Sequence, residues 1–221
     1  MSEPITITDP RVENYLYAVL PARGAVLLEI ERQAKERHIP IVGPAVGRLL
    51  YQFARLIGAR TVFEMGSAIG YSTIWWAMAV GEGGKVHYTD GSEKNANEAQ
   101  GYFTQAGLAD RIEVHVGDAL DFLEGRKEQF DIVFCDVDKH DYPHAGRLAM
   151  SRVRKGGLFI ADNTLWKGKL AYVAGNPELK PDPTDASANA VAELNRMLYE
   201  SPDWFTTIIP LRDGVTVAVR I

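Results

Sequence analysis

The chain is short of cysteine, of long apolar runs and of clustered basic residues, and each shortage narrows what it can be. One cysteine in 221 residues, Cys135, excludes an intrachain disulfide and fits a reducing cytoplasm. Lying inside an apolar run, Cys135 reads as a core residue. No apolar stretch reaches the ~20 residues that a bilayer-spanning helix needs, so no membrane partner is expected. The opening Met1-Ser-Glu-Pro-Ile-Thr6 lacks the basic-then-apolar order of a secretory leader. There are 24 Lys and Arg against 29 Asp and Glu, a net charge of −5 with no basic run, which argues against a nucleic-acid surface. Internal repeats and low-complexity tracts are also missing. The length suits one domain over residues 1–221, large enough for a sizeable core.

What is present changes period near residue 58. Residues 1–58 read as a helical cap. Val12, Tyr15, Leu16 and Val19 recur at helical spacing until Pro21 breaks the run, and a second helix spans Gly24–Arg37. The prolines of Ile39-Pro-Ile-Val-Gly-Pro44 push the residues before them out of helical geometry, so a third helix is expected over Ala45–Leu56. Residues 59–221 read as an α/β core. Strands are expected at Thr61–Met65, Lys85–Asp90, Arg111–Val116, Phe130–Asp136 and Gly156–Asp162. Helices fall between them at Tyr71–Ala79, Ser92–Gln105, just after Gly117, and at Tyr142–Val153. Such alternation implies a doubly wound parallel sheet with helices on both faces. Residues 166–185, rich in Pro, Gly, Asp and Asn, read as a surface loop able to cover a site. A helix at Ala186–Tyr199 precedes two strands, Trp204–Leu211 and Val215–Ile221, and the Asp213-Gly214 between them signals an antiparallel hairpin.

In an open α/β sheet, ligands bind beyond the carboxyl ends of the strands. Acidic residues recur there: Glu64, Asp90, Asp118, Asp136 and Asp162. Any one of them reads equally well as a helix cap, but the recurrence from strand to strand does not. Gly66 and Gly70 punctuate the turn from the first strand into a helix, which suits close approach to a ligand. A carboxylate ending the second strand, Asp90, is placed for ribose hydroxyls. Asp136, Asp162 and Asn163 offer oxygen ligands without histidine or thiol, a set that suits Mg²⁺ ahead of Ca²⁺ or Mn²⁺. Asp162-Asn163 also reads as a turn, and Lys139 as a solvated surface lysine.

Three segments, Glu64-Met-Gly-Ser-Ala-Ile-Gly-Tyr-Ser72, Asp136-Val-Asp-Lys-His-Asp-Tyr142 and Asp162-Asn-Thr-Leu-Trp166, together resemble the cation-dependent O-methyltransferases. That group contains the catechol and caffeoyl-CoA O-methyltransferases. The likeness runs from about Ile41 to the C-terminus. It implies a Rossmann-like, seven-stranded, mostly parallel sheet with an antiparallel C-terminal hairpin. It also implies S-adenosylmethionine as cofactor, a small phenolic substrate and a homodimer, for which the apolar N-terminal helices are available. By the same resemblance, Val42, Glu64, Gly66, Ser67, Ser72, Asp90, Gly117, Asp118, Ala119 and Asp136 contact the cofactor. Asp136, Asp162 and Asn163 hold the metal, and Lys139 acts as general base on a catechol-like hydroxyl. The chain departs from the family at Asp185-Ala-Ser-Ala-Asn189, where a basic residue is common, and at Gly43-Pro44, where a polar cofactor contact is usual.

Overall fold

The apolar runs rich in Val, Ile and Phe pair into one seven-stranded sheet. Residues 6–172 and 184–221 are described, in a computed structural model. The strands are β1 (Thr61–Met65), β2 (Lys85–Asp90), β3 (Ile112–Val116), β4 (Phe130–Cys135), β5 (Val153–Ala161), β6 (Trp204–Ile209) and β7 (Val215–Arg220). Their order is β3-β2-β1-β4-β5-β7-β6. The first five run parallel, and β7 lies antiparallel to both β5 and β6. The fold is therefore a doubly wound, mostly parallel sheet with an antiparallel C-terminal hairpin.

Register sets where ligand chemistry can occur. Met65 aligns with Thr89 on one side and Cys135 on the other, and Cys135 aligns with Ala161. Gly66, Asp90, Asp136 and Asp162 each follow those aligned residues, so all four stand along one edge. Strand order reverses at β1, which opens a crevice beyond these ends.

Period-two alternation sends successive strand residues to opposite layers. Val62, Tyr88 and Phe134 face one core with α2 (Ala25–Arg37), α3 (Gly43–Leu56), α4 (Tyr71–Val80) and α5 (Glu93–Gln105). Phe63, Val133 and Phe159 face the other with α6 (Ala119–Glu124), α7 (Tyr142–Arg152) and α8 (Ala186–Glu200). The N-terminal helix α1 (Pro10–Ala18) buries none of its residues.

Two elements start two or more residues earlier than expected. Helix α3 starts at Gly43 rather than Ala45, because Pro44 fits a first helical turn, where no N–H partner is required. Strand β5 starts at Val153 rather than Gly156. Its pairing with β4 shifts register between Phe130 and Ile132, and a Cβ on Gly157 would lie 2.6 Å from the Asp131 carbonyl oxygen. The glycines thus extend the strand through an irregularity that apolar periodicity does not register. Of the expected 166–185 loop, Trp166–Tyr172 forms 3₁₀ turns broken by left-handed Lys167 and Gly168, and residues 173–183 lie outside the described residues.

Helices α3 and α4 approach closely at Gly47, where a Cβ would fall 2.3 Å from Trp75 Nε1. Gly47→Ala is expected to lower stability by about 1–3 kcal/mol through overpacking, outweighing the helix propensity gained. Thermal unfolding checks this, and an unchanged or raised melting temperature contradicts the close approach.

Candidate active site

The turn after β1 is held from both sides. Gly66 adopts φ +81°, and a Cβ there would sit 2.4 Å from the Asp136 carbonyl oxygen, so the position requires glycine. The Ala68 N–H donates to Asp90 Oδ2 at 2.9 Å, while Asp90 Oδ1 accepts from the Ser92 N–H and from Asn95 Nδ2 at 2.8 and 3.1 Å. Asp90 thereby ties the glycine turn to the end of β2. Beneath the turn, Glu64 is fully buried and accepts hydrogen bonds from Ser67 Oγ and Thr73 Oγ1. Burial raises its pKa, opposed by the hydroxyls of Ser72, Thr73 and Ser67.

A cleft of about 930 Å³ opens beyond the strand ends. Gly66, Asp90, Gly117, Asp118, Ala119 and Asp136 line it. Lys139, Asp162 and Asn163 complete its floor on the β4–β5 side. Val42, Glu64, Ser67 and Ser72 are buried and do not line it. Asp118 caps α6, accepting from the Leu120 N–H at 2.7 Å and the Asp121 N–H at 3.2 Å.

Two carboxylates share the floor. Asp162 is 2% exposed, and its Oδ1 has no hydrogen-bond partner among the described residues. Burial, then the nearby Asp136 charge, pushes its pKa up to about 7. The same burial raises Asp136, with Lys139 pulling the other way. Lys139 Nζ donates to Asp136 Oδ1 at 3.1 Å, to the Val137 carbonyl at 3.3 Å and to the Tyr142 hydroxyl at 2.5 Å. The Tyr142 hydroxyl donates in turn to the Asp162 carbonyl at 2.7 Å. Asn163 follows with φ +55°, a left-handed conformation that asparagine tolerates. Two acidic groups and an amide facing one cleft, with one carboxylate oxygen unpartnered, fit a hard divalent cation.

Several residues that shape this site carry little or no signal in sequence. Asn195 on α8 donates from Nδ2 to the Thr164 carbonyl at 2.9 Å, and its Oδ1 accepts from Thr216 Oγ1 at 3.1 Å. It fixes the segment after β5 from two directions. A lone polar residue amid Val191, Leu194 and Leu198 was the available clue. Arg212, in the hairpin turn with φ +52°, lines the cleft and donates to the Ile41 and Val42 carbonyls. It reads only as part of a turn because its partners lie at the other end of the chain. Glu31 on α2 reaches the cleft while accepting from the Tyr71 hydroxyl at 2.7 Å and pairing with Arg23 at 2.7 Å.

The sequence model of a family described as O-methyltransferase matches residues 24–221. A catechol O-methyltransferase from Niastella koreensis is 29% identical over 219 residues, covering 94% of this chain and 96% of the relative. A caffeoyl-CoA O-methyltransferase from Eucalyptus globulus is 32% identical over 180 residues, 79% of this chain and 72% of its own. Among solved structures, an O-methyltransferase from Streptomyces achromogenes involved in tomaymycin synthesis, in complex with SAM, superposes with a TM-score of 0.84. It is 30% identical and covers 100% of this chain and 99% of its own.

The acid pair has a measurable consequence without any ligand. Folded Asp162 binds its proton more tightly than the unfolded chain does, so its contribution to stability is lost as pH rises from 3.8 to about 7. In EDTA, the melting temperature of the wild type is expected to fall relative to Asp162→Asn across that range. Parallel curves for the two proteins contradict a raised Asp162 pKa.

Proposed function

Because the chain belongs to the O-methyltransferase family, we propose that it transfers a methyl group from S-adenosylmethionine to a hydroxyl of a small catechol-like phenol, assisted by a divalent cation. The observation that carries this reading is the carboxylate pair of half-buried Asp136 and buried Asp162 beside Asn163 and Lys139 in one cleft. The SAM held by the Streptomyces relative supports the cofactor. Gly66, Asp90, Gly117, Asp118 and Ala119, which line the cleft, are the proposed direct contacts, with Asp90 toward the ribose and Asp118-Ala119 toward the adenine. Glu64, Ser67 and Ser72, which are buried, act by holding the turn in shape, and Val42 by its carbonyl contact to Arg212.

A phenol is mostly protonated at neutral pH, its pKa lying near ~10. Mg²⁺ bound by Asp136, Asp162 and Asn163, with Ca²⁺ or Mn²⁺ as alternatives, would supply Lewis-acid charge that favours the phenolate. Lys139 Nζ, positioned by Asp136 and Tyr142, would take the phenolic proton as the neutral amine, whereas as the ammonium it would steady the phenolate. Tyr142, fully buried, keeps that amine from swinging away. Methyl transfer cancels the charge of both sulfonium and phenolate, so a site with little water favours it. Trp166, lining the cleft at the start of the 3₁₀ turns, is the residue proposed to exclude that water.

The stretch that opens α8 bears on substrate size. In the stretch 185–189, where the family often has a basic residue, none is present, and Asp185 caps α8 and pairs with Lys169. That supports a small acceptor over a CoA ester. Val12 and Tyr15, left exposed on α1, and Val19, exposed just beyond it, support a homodimer. Among the described residues no helix is long and apolar enough to cross a membrane, and a cytoplasmic location is part of the same reading.

The test is methyl transfer from labelled S-adenosylmethionine to a panel of catechols. Turnover is expected with Mg²⁺, to disappear in EDTA and to return on adding the ion back. Asp162→Ala should abolish it. Lys139→Ala should lower kcat by about 10²–10⁴-fold while leaving cofactor affinity within a factor of a few. Catechol turnover indifferent to EDTA and to Asp162→Ala would sink the cation-assisted reading.

A further inference from the structure

A second group of ligand atoms sits away from the cleft, at the β3 edge of the sheet. His87 on β2 and Glu113 on β3 are directly paired, and His115 lies two residues beyond Glu113, so the three side chains share a face. His87 Nδ1 is 3.2 Å from His115 Nε2 and 3.3 Å from Glu113 Oε2. One ligand atom from each residue falls within 4.8 Å of the other two. The imidazoles are held in place by packing. They stack on each other at 5.5 Å between centroids, His87 lies against Phe63 and Phe130, and His115 lies against Phe122.

The cluster is one proton short of satisfying its acceptors. Arg126 Nη2 lies 3.4 Å from His115 Nε2, and a guanidinium only donates, so that nitrogen presents its lone pair. The proton on His87 Nδ1 is then shared between that lone pair and the Glu113 carboxylate. Two acceptors converge on one hydrogen. A cation can take its place when the His87 proton moves from Nδ1 to Nε2, with no net change in protonation. A tetrahedral ion with bonds of ~2.0–2.1 Å spaces its ligand atoms by roughly 3.3 Å, which the two shorter separations match. Glu113, with a side chain 45% exposed, is free to close the third. Burial pulls both imidazoles below the ordinary histidine range, and Arg126 adds to this, which keeps them neutral as ligands must be.

We propose that His87, Glu113 and His115 form a second cation site, selective for a borderline ion such as Zn²⁺, with water in the remaining position. Two nitrogens and one oxygen distinguish it from the all-oxygen floor of the cleft. The ion would bridge β2 to the edge strand β3. Arg126, which also pairs with Glu128 at 3.1 Å, opposes binding by its charge.

The experiment is Zn²⁺ calorimetry in excess Mg²⁺, run on wild type and on Asp162→Ala so that occupancy of the cleft is discounted. Both proteins are expected to bind one Zn²⁺ per chain that Mg²⁺ does not displace, with a rise in melting temperature. His115→Gln and His87→Gln should each weaken binding at least tenfold, and Arg126→Gln should tighten it. His87 is nearly buried, so if its variant misfolds, the more open His115→Gln carries the test. Binding indifferent to His115→Gln, or no Zn²⁺ bound in Asp162→Ala, overturns the proposal and leaves a hydrogen-bonded histidine pair.

Discussion

Two carboxylates that cannot comfortably both be charged sit at the ends of neighbouring strands, and the surrounding structure is arranged around that conflict. Asp136 and Asp162 gain their proximity from the register of β4 and β5 and their raised pKa values from burial and from each other. One ammonium, that of Lys139, answers one of them, while Asp162 Oδ1 remains without a partner among the described residues. Left so, the arrangement costs stability at neutral pH. Such a cost is characteristic of sites built for a ligand rather than for folding.

The scaffold absorbs that cost through contacts that are distant in sequence. Asn195 and Thr216 fix the segment after β5, Tyr142 links Lys139 to the Asp162 backbone, and Arg212 ties the C-terminal hairpin to the carbonyls that precede α3. The Arg23–Glu31–Tyr71 chain joins the N-terminal helices to the first helix after the glycine turn. The N-terminal segment is therefore part of the cleft wall, beyond its role as a cover.

Much of this architecture was legible because apolar runs such as Phe130–Cys135 end abruptly in an acid, and because parallel register brings equivalent strand ends to one edge. Lys139, Asp162 and Asn163 were legible by their motifs, and the structure places all three in one cleft. Glu64 and Ser67 show the limit: a motif marks a turn but not how its side chains pair, and here the Ser67 hydroxyl donates to the buried Glu64 carboxylate. Arg212 and Glu31 were illegible because a residue's partner across 40 or more positions leaves no local period. The early start of β5 escaped notice for a different reason. Its extra residues Arg154 and Lys155 are polar and exposed or half-buried, so no apolar pattern marks them.

The central claim is that Asp162 keeps its proton far above the ordinary aspartate range, up to near pH 7, until a cation arrives. Carbon-13 NMR titration of the aspartate carboxyls, assigned with Asp162→Asn, measures this directly. In EDTA the Asp162 carboxyl should titrate near 7, as its burial beside Asp136 requires, and saturating Mg²⁺ should bring it below the ordinary aspartate value. An Asp162 that titrates at ~3.9 in both conditions would contradict the account.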